Sequence, residues 1–346
     1  MGNLLGYSGL TTKLKAMKAK LLTDEDYARI SEFENASELI RLLKTSPGYA
    51  ELFTDVDEQD FTRREVENRL EASFIRDFAK IYRFADQRQR EFLKIYFRTF
   101  EIRFLKRSLR LAFDERTHIP NPKVYPDFFR AHSKLDIDKL SEVWTVPALV
   151  DALYGTEYYK PFAKLKDRPD ATLFDYEMAL DMFNFVKTWK DLEKNLSGDD
   201  LEELKTAYGS RFDMINLNWI YRSKRFYDQT PEDAIALLIP VRYKLNREQI
   251  KKLVYAENDS QFSEVLNTTW YARKFGPLAP EELEDTYVKV VRSVLDKESK
   301  RDPYSAAMTY AYIYKKKHEV GRLTTALECL QYGMEPADTL KYVLRQ

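Results

Sequence analysis

Cysteine occurs once in this chain of 346 residues, at position 329, and histidine three times, at 118, 132 and 318. A single cysteine excludes an internal disulfide and a cysteine-rich zinc site, and it points to a reducing compartment. No two histidines stand at metal-ligand spacing. His318-Glu319-Val-Gly-Arg322 begins like a zincin motif but puts Arg322 where the second histidine must be, so His318 reads as a helix-surface residue. Glycine is scarce, 10 in all. Neither G-x-G-x-x-G nor G-x-x-x-x-G-K-[ST] occurs, so no phosphate-cradling loop is expected, and no G-x-S-x-G elbow marks a serine nucleophile. Lys and Arg total 56 and Asp and Glu total 56, a formal charge of zero. That balance argues against a dedicated nucleic-acid binder. The stretches without a charged residue, Met1–Thr12 and Pro303–Tyr314, are too short for a membrane helix, which needs roughly 18 apolar residues. The Lys-rich segment after the first does not resemble a cleavage site, so no signal peptide is expected.

Three other features invite chemistry and are better read as structure. Asp199-Asp200-Leu-Glu-Glu203 could be an acidic Mg²⁺ cluster. It follows Ser197-Gly198, however, and reads as a helix start whose acids complement the positive dipole end. Glu281-Glu-Leu-Glu-Asp285 after Pro280 reads the same way. Cys329, between Leu327 and Leu330, is expected to pack on a helix rather than act as a nucleophile. No catalytic residue, cofactor or metal site follows from the sequence, and no small-molecule substrate is expected.

Aromatic residues are abundant: 21 Phe, 23 Tyr and 4 Trp. With so few turn signals, long stretches of 3.6 periodicity predict an all-α protein. Val66, Leu70, Phe74, Phe78 and Ile81 form one apolar stripe, and Leu10, Leu14, Met17 and Leu21 another.

The chain also repeats itself, about every 110 residues, a period far above the roughly 20–50 residues of a solenoid unit and close to a small domain. Leu22-Thr-Asp-Glu-Asp-Tyr-Ala-Arg-Ile30, Leu135-Asp-Ile-Asp-Lys-Leu-Ser-Glu-Val143 and Leu245-Asn-Arg-Glu-Gln-Ile-Lys-Lys-Leu253 correspond. In each, Leu precedes a helix-capping residue: Thr23, Asp136 or Asn246. Thr23 with Asp26 and Asn246 with Gln249 have capping-box spacing. A second short helix is expected near Ser37, near Thr145-Val-Pro147 and near Asp259-Ser260. It ends in Leu43, Ser46, Tyr49 and Phe53, in Leu153 to Tyr158 and Phe162, and in Leu266 to Tyr271 and Phe275. A long amphipathic segment then leads to a third marker: Glu101-Ile102, Asp213-Met214 and Glu319-Val320. The expectation is three similar helical domains, 1–120, 121–232 and 233–346, which can close about a pseudo-threefold axis around a central hole or stand as an open row.

Basic residues recur near the third marker: Arg98, Arg103, Lys106, Arg107 and Arg110; Arg222, Lys224 and Arg225; Lys315, Lys316 and Lys317. Interleaved with aromatics, such residues can bind RNA, but with zero net charge a surface or partner-facing role reads better.

These residues resemble the C subunit of bacterial and archaeal V/A-type rotary ATP synthases, the counterpart of the d subunit of the eukaryotic V-ATPase. The resemblance lies in Gly6-Tyr7 before a Lys-rich helix, in Leu21-Leu22-Thr23-Asp24-Glu25-Asp26-Tyr27, and in Asp213-Met-Ile-Asn-Leu-Asn-Trp-Ile-Tyr-Arg222 with Lys224-Arg225. It continues in Tyr312-Ile-Tyr-Lys-Lys-Lys-His-Glu319-Val-Gly-Arg322 and Gly333-Met-Glu-Pro-Ala-Asp338, and so spans nearly the whole chain. It implies an all-α protein of three domains in a pseudo-threefold, funnel-like arrangement, a non-catalytic central-stalk protein on the cytoplasmic face of the membrane. Such a protein seats the rotor shaft, made of the D and F subunits, on the proteolipid ring and passes torque between ATP chemistry and proton or sodium transport. The helices around Glu101, Asp213 and Glu319 would line the socket, with Arg103, Arg107, Asn216, Arg222, Lys224 and Arg322 as candidate partner-interface residues. Two other readings are a helical Mg²⁺-dependent enzyme, which lacks a second acidic motif, and a free helical scaffold binding another protein or RNA.

Overall fold

The computed structural model describes residues 2–114, 127–227 and 229–345; His118 and the expected boundary at 120/121 lie outside them. Helix makes up 76% of the described residues, and no strand occurs among them. In chain order the helices are α1 (Gly2–Lys18), α2 (Asp24–Ser31), α3 (Ala36–Thr45), α4 (Ala50–Phe53), α5 (Arg63–Phe84), α6 (Gln87–Phe113), α7 (Asp127–His132), α8 (Ile137–Ser141), α9 (Val146–Ala152) and α10 (Tyr159–Lys166). Then come α11 (Leu173–Asn195), α12 (Gly198–Phe226), α13 (Pro231–Ala236), α14 (Arg247–Tyr255), α15 (Asp259–Asn267), α16 (Trp270–Phe275), α17 (Leu283–Arg301), α18 (Ala306–Gln331) and α19 (Pro336–Leu344).

The short helices begin where capping chemistry places them. Thr23 and Asp26 form a capping box at the start of α2, as Asn246 and Gln249 do at α14. The Asp136 carboxylate accepts the Lys139 N–H at α8. Asn35, Thr145 and Asn258 cap α3, α9 and α15, close to the expected starts. Each cap satisfies a first-turn N–H that the helix itself cannot pair, worth about 1 kcal/mol. Each set of short helices is followed along the chain by two long ones: α5 then α6, α11 then α12, and α17 then α18.

The helices group into two compact units. The first joins Met1–Arg90 and Asn121–His132 to the chain's last segment, Asp302–Gln346. Its centre is α5 against α18, with α1 packed on both and α2, α3 and α19 around α18. The stripe from Val66 to Ile81 is buried along α5, and Leu10, Leu14 and Met17 are buried on α1. Phe128 and His132 of α7 stack on each other and against Tyr82 of α5. The second unit comprises Glu91–Pro120 and Ser133–Arg301. There α12 is the central helix, packed along α17 and also against α11, α13 and α14. Phe185 of α11 meets Phe212 and Trp219 of α12 edge to face.

No described helix is long and apolar enough to cross a membrane.

Candidate functional site

The third marker of each repeat carries one carboxylate, and all three are buried: Glu101 is 3% exposed, Asp213 0% and Glu319 4%. A charged carboxylate out of water is costly unless hydrogen bonds replace its hydration. Each finds them in the same two places: the chain just before a short capped helix, and the tyrosine at the start of α4, α10 or α16.

Glu319 on α18 accepts the Leu22 N–H at 2.6 Å and the Tyr49 hydroxyl at 2.6 Å. Lys316, one turn earlier and 1% exposed, donates to the same carboxylate at 2.9 Å and to the Tyr49 oxygen at 2.7 Å. Its ammonium lies 3.9 Å from the centre of the Tyr49 ring. Asp77 of α5 stands 4.0 Å from Lys316 and accepts the Tyr312 hydroxyl at 2.7 Å. Burial first, and then the charge of Glu319, push the Tyr49 phenol well above its ordinary range, so it stays a proton donor.

Glu101 on α6 accepts the Lys134 N–H at 2.7 Å, the Ser133 hydroxyl at 2.9 Å and the Tyr158 hydroxyl at 2.6 Å. Arg98, again one turn earlier, is buried and paired with Asp191 of α11. Burial and Glu101 raise the Tyr158 phenol in the same way.

Asp213 on α12 accepts the N–H groups of Lys244 and Leu245 at 2.6 and 3.0 Å and the Tyr271 hydroxyl at 2.8 Å, all on Oδ2. Its other oxygen has only the Tyr243 N–H at 3.4 Å. The neighbouring Gly209 lets this segment come close, since a Cβ there would lie 2.4 Å from Cγ of Tyr243. Burial, the largest effect, lifts the Asp213 carboxyl to about 6 against the pull of its donors.

Leu22, Leu135 and Leu245, the three tyrosines and the three acids were visible in the sequence as separate repeated markers. The structure joins them: each acid holds the start of the following copy, and the last acid holds the first copy. Sequence reasoning missed that link because it placed the acids on a surface.

The expected interface residues scatter among several tasks. Arg103 and Arg107 are half-buried on α6. Asn216 is wholly buried, its amide donating to the Ile239 carbonyl at 3.1 Å and accepting the Ile239 N–H at 2.8 Å. A side chain so enclosed offers nothing to a partner, and Asn216 is corrected to a structural residue. Lys224 is half-buried and donates to the Val254 carbonyl at 2.8 Å. Arg322 donates to Asp24 at 3.5 Å and covers the Tyr27 ring at 5.1 Å.

The Arg222 side chain is 44% exposed. It pairs with Glu284 and lies 5.9 Å from the Phe226 ring. With Phe174, Trp219, Tyr227 and Glu284 it borders a cavity of about 580 Å³ in the second unit. Phe174, Phe226 and Tyr227 are each more than half exposed there.

The basic row on α6 is also less available than its sequence implies. Lys106 donates to Asp181 at 2.7 Å, Arg110 to Glu177 at 2.7 Å, and Arg98 is spent on Asp191. Acids of α11 thus cover three of its five charges. On α18, Lys316 lies in the core.

The acids at 199–203 do start α12, whose first turn holds Asp199 and Asp200. Asp200 and Glu203 are buried rather than solvated, and Glu203 pairs with Arg301 at 3.0 Å. Cys329 is buried on α18. His318 is half-buried and packs on Tyr314 with ring centres 4.1 Å apart. Among the described residues no cluster of three or more His, Cys, Asp or Glu side chains is placed to hold a metal ion.

Comparison with known proteins gives matches over nearly the whole chain. Residues 10–342 match the family described as ATP synthase (C/AC39) subunit. The C subunit of the A-type ATP synthase of Thermococcus kodakarensis is 21% identical, the match covering 97% of this chain and 90% of that protein. Its counterpart in Methanocaldococcus jannaschii is 24% identical over 97% and 86%, and that in Archaeoglobus fulgidus 22% over 96% and 94%. The chain belongs to the ATP synthase (C/AC39) subunit family, as a non-catalytic component of a rotary ATP synthase complex.

Proposed function

We propose that this chain is the central-stalk socket of its complex. It would seat the rotor shaft, made of the D and F subunits, on the membrane proteolipid ring at the cytoplasmic face, and carry torque for ATP-coupled proton or sodium transport. The observation that carries the reading is the set of three carboxylate latches. A torque-bearing adaptor must resist shear between its helices. Each latch ties two short-helix segments to a long helix through two or more hydrogen bonds in a buried setting, where they are stronger than in water. The latch of α18 also ties the chain's end to its beginning.

The three repeats, 1–120, 121–232 and 233–346, would then be three like parts of one frame around the shaft, in a pseudo-threefold arrangement. Contact with the shaft is assigned to Arg103, Arg107, Arg222, Lys224 and Arg322, with Arg222 the leading residue. Arginine bordered by exposed aromatic rings is the composition of an interface hot spot. A charged, wet contact of that kind suits a joint that must come apart and reform.

The test is a binding measurement. The chain carrying a C-terminal tag is purified from gently solubilised membranes, and the isolated shaft is titrated against it. Co-purification of head, shaft and proteolipid, with shaft affinity lost on joint charge reversal of Arg103, Arg222 and Arg322, is the expected result. Recovery of the chain alone across detergents and salt concentrations, with no shaft binding, would overturn the socket and favour a free helical scaffold.

A further inference from the structure

The three latches share an acid on a long helix, a backbone N–H donor and a tyrosine, and they differ three residues before the acid. Three residues before each acid, on the same helix face, stand Arg98, Ser210 and Lys316. Arg98 and Lys316 are buried cations. Lys316 donates directly to Glu319, and Arg98 lies close enough to Tyr158 to act on its phenol. Ser210 is 0% exposed and uncharged, and its hydroxyl, beside Tyr271, completes no hydrogen bond of its own. The middle latch therefore buries a carboxylate with no cation beside it.

The other groups around Asp213 do not make up for that. The Lys244 ammonium sits over the rings of Tyr243 and Trp270, at 4.6 and 5.7 Å, and the Lys244 side chain is exposed. Arg211 of α12 donates to Tyr287 of α17 at 3.2 Å. Tyr243 directs its hydroxyl to Thr206 at 3.1 Å, and Tyr271 is a neutral donor. All remaining support for the Asp213 charge comes from backbone N–H groups and one phenol.

We propose that Asp213 is a proton-exchanging latch, neutral in mildly acidic solution and anionic near neutral pH, within a frame whose other two latches each contain a buried cation. Its chemistry suits the exchange. All three close donors converge on Oδ2, so Oδ1 is the oxygen able to take a proton. Burial already holds the carboxyl at about 6, which makes its proton binding roughly 100-fold tighter than that of an ordinary aspartate. As the proton leaves, the bonds to 243–245 and Tyr271 become charge-assisted and shorten.

The test is carbon-13 NMR of the full chain with labelled aspartate side-chain carboxyls. Asp213→Asn, which keeps shape and removes the titration, identifies the signal. The expected result is one carboxyl titrating about two pH units above the rest, and a lower midpoint in Ser210→Lys, which restores a cation where the other latches have one. Midpoints for every aspartate in the ordinary range would overturn the proposal. A raised midpoint unmoved in a folded Ser210→Lys would overturn its physical basis. Where that variant fails to fold, the wild-type titration decides alone. None of these outcomes bears on the shaft-binding test.

Discussion

Tyr49 and Glu319 are 270 positions apart in the chain and meet at 2.6 Å inside one helical unit, with the Lys316 ammonium bonded to both. The phenol on one side and the ammonium on the other leave the carboxylate little need of water. The same pairing of an acid on a long helix with the tyrosine of a short one recurs at Glu101 with Tyr158 and at Asp213 with Tyr271.

Glu319→Gln is expected to be among the most damaging single changes. It leaves Lys316 charged and buried with the neutral Tyr49 and the 4.0 Å contact to Asp77, and removing one partner of a buried pair costs about 3–5 kcal/mol. Tyr49→Phe should cost about 1–3 kcal/mol, since two buried groups lose a partner. Denaturant unfolding of both single variants and the double variant should show a coupling of about 0.5–3 kcal/mol. Simple additivity would mean the two residues do not act as a unit.

Asn216→Ala should destabilise the fold by about 1–3 kcal/mol, because the Ile239 N–H and C=O both become unsatisfied in the core. Shaft affinity of the folded variant should equal that of the wild type. A tenfold loss of affinity with unchanged stability would restore Asn216 to the interface.

Gly209→Ala tests the close approach beside the Asp213 latch. The added methyl overlaps Cβ and Cγ of Tyr243, atoms that cannot swing aside without moving the backbone bonded to Asp213. A loss of about 1–3 kcal/mol is expected, with faster amide exchange at Lys244 and Leu245. A neutral melting temperature would show that the segment can shift freely.

Asp213 predicts a pH dependence of definite sign. Its folded value, about 6, lies above the unfolded reference of 3.8, so the folded chain binds this proton more tightly than the unfolded one. The resulting stability is fully present below about pH 4 and is lost as pH rises through 6, about 3 kcal/mol in all. The difference in unfolding free energy between wild type and Asp213→Asn should therefore fall across that window and be flat on either side. A constant difference would contradict the assignment.

Arg222→Ala removes an exposed ion pair, worth less than about 1 kcal/mol to the fold. Binding should suffer far more than stability. Calorimetric titration with the isolated shaft at low and high salt should show weaker affinity and a smaller salt dependence than wild type. Unchanged affinity would remove Arg222 from the proposed interface.

Much of the local structure was legible because it depends on neighbours in sequence. Thr23, Asp136 and Asn246 cap α2, α8 and α14 because a side-chain oxygen reaches an N–H only two or three residues away. The stripe on α5 is buried as its 3.6 periodicity requires. The repeated acids were legible as markers but not as latches. A helical position looks alike in sequence whether it faces solvent or a tyrosine from another part of the chain. The basic row of α6 misled for the same reason, since the acids that cover Arg98, Lys106 and Arg110 come from α11.

Composition and periodicity by themselves determined that this chain is helical, internally repeated and free of recognisable catalytic motifs, because those properties rest on spacings of a few residues and on residue types present or missing. The tertiary structure alone decided which polar groups go inside. Burial of Glu101, Asp213, Glu319 and Lys316 costs free energy that only partners far along the chain can offset, and those partners are brought within reach by the packing of α6, α12 and α18.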